Sequence, residues 1–333
     1  MSGRSDPERA LLSSPIASTR MRTAVAAAEW KRSGIGNVYW NPESAGNVDY
    51  ASANVCILPK FYSDSDPEVW RRACRAIKNA DRPLVLDVCD YPFRKPRHVQ
   101  TLYAEALEIC DALIVNSERM GELMAQHLPL QPVVIDDAIL GPSRNVEFAP
   151  AGRLRLLWFG HVTNLRYLDH CMNALVGFAA ERPCRLTIVT EDAFGAREVT
   201  KAIDTRFSPF LRARFVEWSS KAMTEALREC DLALIPSDPA DPSKAGVSAN
   251  RVAEVLRAGR FPVASPLPAY LPFAEAAWLG HDLIEGVRWA LGNHGEVRAR
   301  VRRGQSLVTE KLSPARIGRQ WRELLEDLAR AHS

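Results

Sequence analysis

Residues 232–265, LALIPSDPADPSKAGVSANRVAEVLRAGRFPVAS, hold the pattern on which the fold prediction depends. The apolar run Leu232–Ile235 is followed by a long polar loop, a stretch of helical period and a second apolar run. Val252, Val255 and Leu256 recur at the spacing of one helix face. Runs this short that are apolar throughout are typical of buried parallel strands, so the stretch predicts a strand–helix–strand unit.

The same alternation of short apolar runs and helical stretches extends over the rest of the chain. Pro, Gly and polar residues at 140–152 divide it into two alternating halves. The pattern predicts an α/β protein with two parallel-sheet domains, residues 1–150 and 151–312, and a final helix at residues 313–333. The further strand predictions are Ala53–Leu58, Leu84–Val88, Ala112–Val115, Val133–Ile135, Arg155–Phe159, Leu186–Val189, Arg214–Glu217 and Phe261–Ala264, with weaker candidates at Ala10–Leu12 and Val38–Trp40.

Composition and charge exclude several classes of protein. The chain has 333 residues, with 43 Lys and Arg against 40 Asp and Glu, a balance too even to indicate nucleic-acid binding. Its apolar runs fall short of the ~20 residues that a membrane helix needs, and its polar start does not resemble a signal peptide. Seven scattered cysteines without a CxxC pair favour reduced thiols in a cytoplasmic protein.

Two segments contain helix-start signals. Asp66-Pro67 and Ser313-Pro314 each place a capping side chain before a proline at the first helical position. The helix that starts at Pro314 has an apolar face, which includes Ile317 and Trp321, and is expected to dock on the protein.

The first candidate site follows the strand Arg155–Phe159. In open parallel sheets, ligands bind beyond the carboxyl ends of the strands. A Gly at position 160 allows a sharp turn, after which His161, Thr163, Asn164 and Arg166 can donate hydrogen bonds to an anion. The alternative is an ordinary strand–helix turn with Asn164 as the helix N-cap.

The second candidate site is the polar loop after Leu232–Ile235, with a helix expected to begin near Val247. Free amide N–H groups at a helix start, together with Gly246 and Lys244, would form a phosphate site. Glu254 lies on the helix face opposite the apolar stripe. It is either a solvated surface residue or an acceptor of hydrogen bonds from ligand hydroxyls.

In the first half, Asp87, Asp90 and Arg94 lie at the end of the strand Leu84–Val88. The two carboxylates could bind a metal ion, but no His or Cys cluster supports that interpretation. A role in binding substrate hydroxyls, or a structural role, is the favoured interpretation.

At these residues the chain resembles glycosyltransferases of the GT-B fold and is most similar to glycosyltransferase family 4. In the family's Gly-Arg-x(4)-Lys-Gly segment, Gly160 matches the Gly, His161 stands where Arg is usual, and Arg166 stands for Lys. In the family's Glu-x(7)-Glu pattern, Glu254 matches the second Glu, which binds the ribose of the nucleotide sugar. Gly246 stands at the first Glu, which usually contacts the donor sugar, and Lys244 or Ser248 is a candidate substitute.

The resemblance implies two Rossmann-like domains facing across a cleft, with the final helix packed across them. It implies transfer of a sugar from a nucleotide diphospho-sugar to an unidentified acceptor, with retention of configuration, no metal and no cofactor. Arg166 and Lys244 would stabilise the leaving diphosphate, and the base would lie near Phe215–Trp218. The donor-binding residues are then Gly160, His161, Thr163, Asn164, Trp218, Gly246, Val247, Ser248, Asn250 and Glu254.

The acceptor side matches the family more loosely. Residues 18–22 resemble a Ser-x-Arg-x-Arg loop after the first strand, so Arg20, Arg22 and Asp87 are predicted to bind the acceptor, with Asp90 as the candidate base. The expected partners are a nucleotide sugar and a small-molecule, glycan or lipid-linked acceptor, with no nucleic acid. A cytoplasmic location is expected, and peripheral contact with the inner face of the membrane stays open.

Other functions are compatible with the same residues. A catalytically inactive relative would bind a nucleotide sugar or a glycan without turnover, which the Gly at position 246 and the His at position 161 favour slightly. A nucleotide-sugar epimerase would convert the donor with no acceptor. A dinucleotide-dependent oxidoreductase is disfavoured because the chain lacks a GxGxxG motif.

Overall fold

The computed structural model describes residues 17–33, 50–61, 66–127 and 131–332. The weak strand candidates Ala10–Leu12 and Val38–Trp40 lie outside them. The chain divides into two compact units. Unit 1 comprises Met1–Ala138, Ala245–Ser248 and Leu312–Ser333, and unit 2 comprises Ile139–Lys244 and Ala249–Lys311. The predicted domain boundaries at residues 150 and 312 stay predictions.

Unit 1 contains, in its described residues, a sheet of four parallel strands in the order β1-β2-β3-β4. Every residue of the central strand β2 is buried, because helices cover both faces of a parallel sheet. All four strands lie within the runs predicted from the sequence. Their bounds are Cys56–Leu58 for β1, Leu84–Val88 for β2, Ala112–Val115 for β3 and Val133–Val134 for β4.

The described helices of unit 1 start where the sequence supplies caps. The Asp66 side chain accepts a hydrogen bond from the Glu68 amide, which confirms the predicted cap. Pro314 is the first residue of its helix as predicted, but the Ser313 side chain makes no capping bond. The helices are Ala24–Arg32 (α1), Pro67–Asn79 (α2), Arg97–Leu107 (α3), Glu118–Ala125 (α4) and, at the end of the chain, Pro314–Ala331.

The segment that contains Arg20 and Arg22 is helical, so the expectation of a loop there is wrong. A π-helical turn, Thr19–Thr23, leads directly into α1. Its buried side chains account for the difference, because Met21 and Arg22 are at most 1% exposed and are fixed on the inner face of the helix.

The helix Pro314–Ala331 docks on α1, as its apolar face predicted. Trp321 is 1% exposed, and the Arg22 guanidinium lies 5.6 Å from the centre of its ring. At Gly318 the two helices approach closely, since a Cβ there would lie 2.9 Å from the Glu29 Cβ. Packing of this helix across the domains stays a prediction.

Unit 2 contains a six-stranded parallel sheet in the order β10-β9-β8-β5-β6-β7, all of it within the described residues. β10 was not predicted, because two half-buried residues are too few to show a period. The bounds are Leu154–Phe159 (β5), Cys184–Thr190 (β6), Leu211–Glu217 (β7), Leu232–Ile235 (β8), Phe261–Ala264 (β9) and Trp278–Leu279 (β10).

In the described part of unit 2, an α-helix lies in each connection from β5 to β9, and two more α-helices follow β10. The helix after β8 begins at Asn250, three residues later than the predicted start near Val247. The helices are Asp169–Glu181 (α5), Ala196–Phe207 (α6), Ser220–Glu229 (α7), Asn250–Arg257 (α8), Leu283–Gly292 (α9) and His294–Leu312 (α10), so Pro314–Ala331 is α11.

Candidate functional site

The strand order of unit 2 places the two predicted polar loops beside each other. β5 is the first strand of this unit in sequence, with β6 and β7 on one side and β8, β9 and β10 on the other. Successive strands are therefore added on one side of β5 up to β7 and on the other side from β8 onward. The point between β5 and β8 where this order reverses is a switch point, and ligands bind at such points in open parallel sheets. Gly160 follows β5 and Pro236 follows β8, so both loops leave the sheet at the switch point.

The loop after β5 begins with a sharp turn at Gly160. Its φ of +154° belongs to a region that side chains avoid, and Thr190 Oγ1 donates to its carbonyl at 2.8 Å. A 3₁₀ helix, Val162–Leu168, follows directly. Its N-cap is His161, whose Nδ1 accepts from the Thr163 amide at 3.3 Å, so the alternative of Asn164 as the N-cap is wrong.

Arg166 is joined to the loop after β8 through Asp241. Arg166 Nη2 lies 2.9 Å from Asp241 Oδ2 and 2.7 Å from the Tyr167 hydroxyl, which itself donates to Asp241. The Tyr167 hydrogen bond, helped by Ser243 and by the charge of Arg166, lowers the pKa of Asp241 to about 2. The carboxylate is therefore ionised near neutral pH and holds the guanidinium at the switch point.

Lys244 makes the reciprocal connection from the loop after β8 to the loop after β5. Its Nζ donates to Asn164 Oδ1 at 2.6 Å and lies 5.1 Å from the centre of the Tyr167 ring. Two cations from two loops are thus held around one tyrosine. Such a pair can neutralise an anion that enters at the strand ends.

Helix α8, which follows the loop after β8, carries Glu254, the carboxylate predicted to bind the donor. Val252 and Val255 are fully buried, whereas Asn250 and Glu254 are half-buried on the other side of the helix. This arrangement is the one that the helical period predicted for Glu254. Trp218 follows β7, which lies two strands away from β5 in the sheet. The Trp218 amide donates to the Thr190 carbonyl at 2.9 Å.

Gly246, Val247 and Ser248 belong to unit 1, unlike the rest of the predicted donor site. A Cβ at Gly246 would lie 2.6 Å from Met120 Cε, and Ser248 Oγ donates to Asp137 Oδ2 at 2.6 Å. These contacts hold Gly246 and Ser248 outside the helix, which begins only at Asn250. Their predicted role in donor binding stays a prediction.

The predicted acceptor residues Arg22 and Asp87 form a buried ion pair in unit 1. Arg22 Nε and Nη2 donate to Asp87 at 2.7–3.0 Å, and Nη1 donates to Asp137 at 3.0 Å and to the Ile135 carbonyl at 2.7 Å. Burial alone would lower the pKa of Arg22, but the charges of Asp87 and Asp137 outweigh it and raise this pKa. The network is a structural one as it stands, and acceptor binding by Arg20, Arg22 and Asp87 stays a prediction.

Asp90, the candidate base, lies past the end of β2 in an ion pair. Its Oδ2 is 2.5 Å from Lys60 Nζ and 3.9 Å from Lys95 Nζ, and its side chain is 38% exposed. The Lys60 ammonium occupies this carboxylate oxygen, so base catalysis by Asp90 would require that contact to open.

Three polar residues that contact the predicted site residues were not singled out from the sequence. Tyr167 and Asp241 join the two cationic loops, and Asp137 joins Arg22 to Ser248. The only sequence signal for them was their place in polar segments that follow apolar runs. Their partners are 74 to 115 residues away, which no local pattern encodes.

The described part of the chain contains neither a cluster of metal-ligand side chains nor a helix that could span a membrane. No group of three or more His, Cys, Asp or Glu side chains there is arranged to hold a metal ion. None of the described helices combines the length and the apolar character that a bilayer span requires.

Comparison with known proteins identifies the fold. No family model and no curated protein matches the chain. Among solved structures, Anabaena Alr3699/HepE in complex with UDP-glucose matches with a TM-score of 0.61 at 16% identity, over 79% of this chain and 77% of that one. Sucrose-phosphate synthase from Thermosynechococcus elongatus matches with a TM-score of 0.62 at 13% identity, over 82% and 81%.

TarM matches with a TM-score of 0.62 at 11% identity, over 84% of this chain and 57% of TarM. These proteins are glycosyltransferases of the GT-B fold. The chain has the GT-B fold. Identities of 10–16% establish the architecture that the sequence predicted, whereas membership of family 4 stays a prediction.

Proposed function

We propose that this protein is a glycosyltransferase that moves a sugar from a nucleotide diphospho-sugar to an acceptor. The observation that supports it is the pair of cations, Arg166 and Lys244, held around Tyr167 at the switch point of a GT-B sheet. Cations fixed before the reaction stabilise charge that develops on a leaving diphosphate without reorganisation. Because they can do so unaided, we propose metal-independent transfer, with retention of configuration by family resemblance.

Each donor residue has a distinct task in this proposal. Glu254 accepts hydrogen bonds from the ribose hydroxyls, Arg166 and Lys244 bind the diphosphate, and the base lies near Trp218. UDP is the first nucleotide to test, because HepE was solved with UDP-glucose and a TarM variant with UDP. The acceptor is proposed to bind unit 1, with Asp90 as its base once Lys60 releases it.

The experiment is a thermal-shift titration with UDP, ADP, GDP and their glucose conjugates. A nucleotide at about 100 times its dissociation constant stabilises the folded state by about 2.7 kcal/mol, which a melting curve detects. We expect one nucleotide to stabilise the wild type and Glu254→Ala to lose that shift. Glu225→Ala, an exposed glutamate of α7, is the matched control and retains it. The absence of a shift with every nucleotide would contradict the proposal.

Gly246 favours a second candidate function, a binding module without turnover. The family glutamate that contacts the donor sugar is replaced here by a residue packed against Met120 and Leu123, where a longer side chain has little room. A protein of this kind would show the same nucleotide shift. It would release no nucleotide diphosphate when a UDP-sugar is incubated with a panel of glycan, small-molecule and lipid-linked acceptors.

A further inference from the structure

The space beside Gly160 is bordered by two hydrogen-bond donors from different elements of unit 2. A Cβ placed on Gly160 would lie 3.6 Å from Arg251 Nη1 and 3.9 Å from Asn164 Nδ2. Arg251 comes from the first turn of α8, and Asn164 from the 3₁₀ helix after β5. Because residue 160 has no side chain, both nitrogens approach its backbone closely.

Arg251 Nη1 is buried and has no hydrogen-bond partner among the described residues. Nη2 of the same side chain donates to the Tyr270 hydroxyl at 3.3 Å, so the guanidinium is anchored at one nitrogen only. A buried charged donor without an acceptor is costly and rare in folded proteins. Beside a candidate anion site, such an atom is a place where a ligand can supply the acceptor.

Asn164 is oriented toward the same space by Lys244. Lys244 Nζ can only donate, and it lies 2.6 Å from Asn164 Oδ1, so the amide oxygen faces the lysine. The Nδ2 donor is then the amide atom that faces Gly160. Two donors from two segments, the Arg251 guanidinium and the Asn164 amide, therefore face this turn, and Lys244 holds the amide in that orientation.

We infer that Arg251 and Asn164 bind a phosphate oxygen of the nucleotide diphosphate in the space beside Gly160. This inference rests on the proposed function and adds a specific ligand contact to it. The ligand atom is an anionic oxygen, because both nitrogens donate and one carries positive charge. A diphosphate fits the place, since the strand ends at a switch point are where such groups bind. Arg251 is thereby a third cation of the donor site, beside Arg166 and Lys244.

The test is calorimetric titration of the purified full-length protein with UDP, ADP, GDP and inorganic pyrophosphate. Arg251→Gln keeps a long polar side chain with a neutral amide donor, but it removes the positive charge and the paired N–H donors of the guanidinium. We expect it to weaken the best nucleotide and pyrophosphate by about 10- to 100-fold each, the effect of losing a charged hydrogen bond. Asn164→Ala weakens both ligands by a smaller factor, because its donor is neutral.

Two other variants distinguish ligand binding from a structural role. Tyr270→Phe removes the hydroxyl that anchors Nη2 but leaves Nη1 in place, and it is expected to change affinity less than 3-fold, within ~0.65 kcal/mol. Glu254→Ala weakens the nucleotide but not pyrophosphate, which has no ribose. Arg251→Lys, which restores the charge on a shorter side chain, recovers part of the affinity and replaces Arg251→Gln if that variant does not fold.

The outcomes separate the inference from the proposed function. Nucleotide binding that is equal in the wild type and in Arg251→Gln overturns the inference and leaves the proposed function intact. If the wild type binds no nucleotide, the proposed function fails, and the pyrophosphate titration decides the inference by itself. Pyrophosphate binding that depends on Arg251 then supports an anion site at Gly160, and binding that is absent or independent of Arg251 overturns it.

Discussion

The hydrogen bond from Tyr167 to Asp241 shows how single residues prepare the candidate site. Asp241 holds Arg166, and Tyr167 is the largest cause of its lowered pKa. The sequence identified Arg166 as a candidate because it follows a strand, but nothing local to position 166 indicated its partner. The place of Arg166 after a strand made it a candidate, whereas its contact with Asp241 in the folded unit determines where its charge lies.

The lowered pKa of Asp241 predicts a pH-dependent contribution to stability. The folded-state pKa of about 2 lies below the unfolded value near 3.8, so the ionised carboxylate stabilises the fold above about pH 4. That contribution is lost as the pH falls toward 2. We expect Asp241→Asn to reduce the free energy of unfolding by about 1 kcal/mol at pH 7, after allowance for solvent screening, and by progressively less below pH 4.

Urea denaturation of the wild type and Asp241→Asn between pH 3 and pH 7 measures this difference. The control is Asp192→Asn, which removes an exposed ion pair with Arg197 and is expected to cost less than about 0.5 kcal/mol at any pH. A difference between wild type and Asp241→Asn that does not vary with pH would contradict the assignment of the lowered pKa to this site.

At the scale of elements, Gly259 sets the end of the helix that carries Arg251 and Glu254. α8 ends at Arg257, and Gly259 has a φ of +73°. A Cβ at Gly259 would lie 2.3 Å from the Asn145 carbonyl oxygen, which is backbone and cannot move aside cheaply. Two features therefore require glycine at position 259. One is the left-handed turn that ends the helix, and the other is the close approach of the 140–152 segment.

We expect Gly259→Ala to destabilise the protein by roughly 2 kcal/mol or more, since strain and a backbone clash add. Gly177→Ala is the matched control. Gly177 is an exposed residue within α5 and a Cβ there meets nothing within 4 Å, so alanine is expected to be neutral or to stabilise by up to about 1 kcal/mol. Equal melting temperatures for the two variants would mean that the backbone around Gly259 is not as tightly packed as described.

Elements also show where local prediction works. Leu84–Val88, Ala112–Val115, Leu232–Ile235 and Phe261–Ala264 have the bounds that the sequence predicted, because a strand buried on both faces is apolar over its whole length. The start of α8 was predicted too early. Gly246 packs against Met120 and Ser248 donates to Asp137, and both partners are more than 100 positions away in the sequence.

At the scale of the whole molecule, the burial of the seven cysteines shows how both units pack. All are unpaired, six are buried and Cys89 is half-buried. Burial raises the pKa of Cys56 and Cys110 to about 11, so few thiolates exist at neutral pH. The predicted free thiols are therefore present but protected by the fold.

We expect a colourimetric disulfide reagent at pH 7.5 to modify at most Cys89 in the native protein, and only slowly, because burial raises the pKa of this half-buried thiol as well. All seven thiols react after unfolding in urea, and a Cys89→Ser variant loses any slow reaction of the native protein. A melting curve of Cys89→Ser is the control that the substitution leaves the fold intact. Rapid reaction of several thiols in the native protein would contradict the described packing.

The sequence by itself determined the α/β class, most strand positions, the place of Gly160 and Arg166 after a strand and the helix face that carries Glu254. Those features depend on apolar period and turn chemistry, which act over a few residues. Only the tertiary structure decided that Asp241 holds Arg166 and that Arg251 leaves a buried nitrogen unpartnered beside Gly160. Such pairings depend on which strand ends lie side by side in the sheet, and strand order is a property of the whole unit.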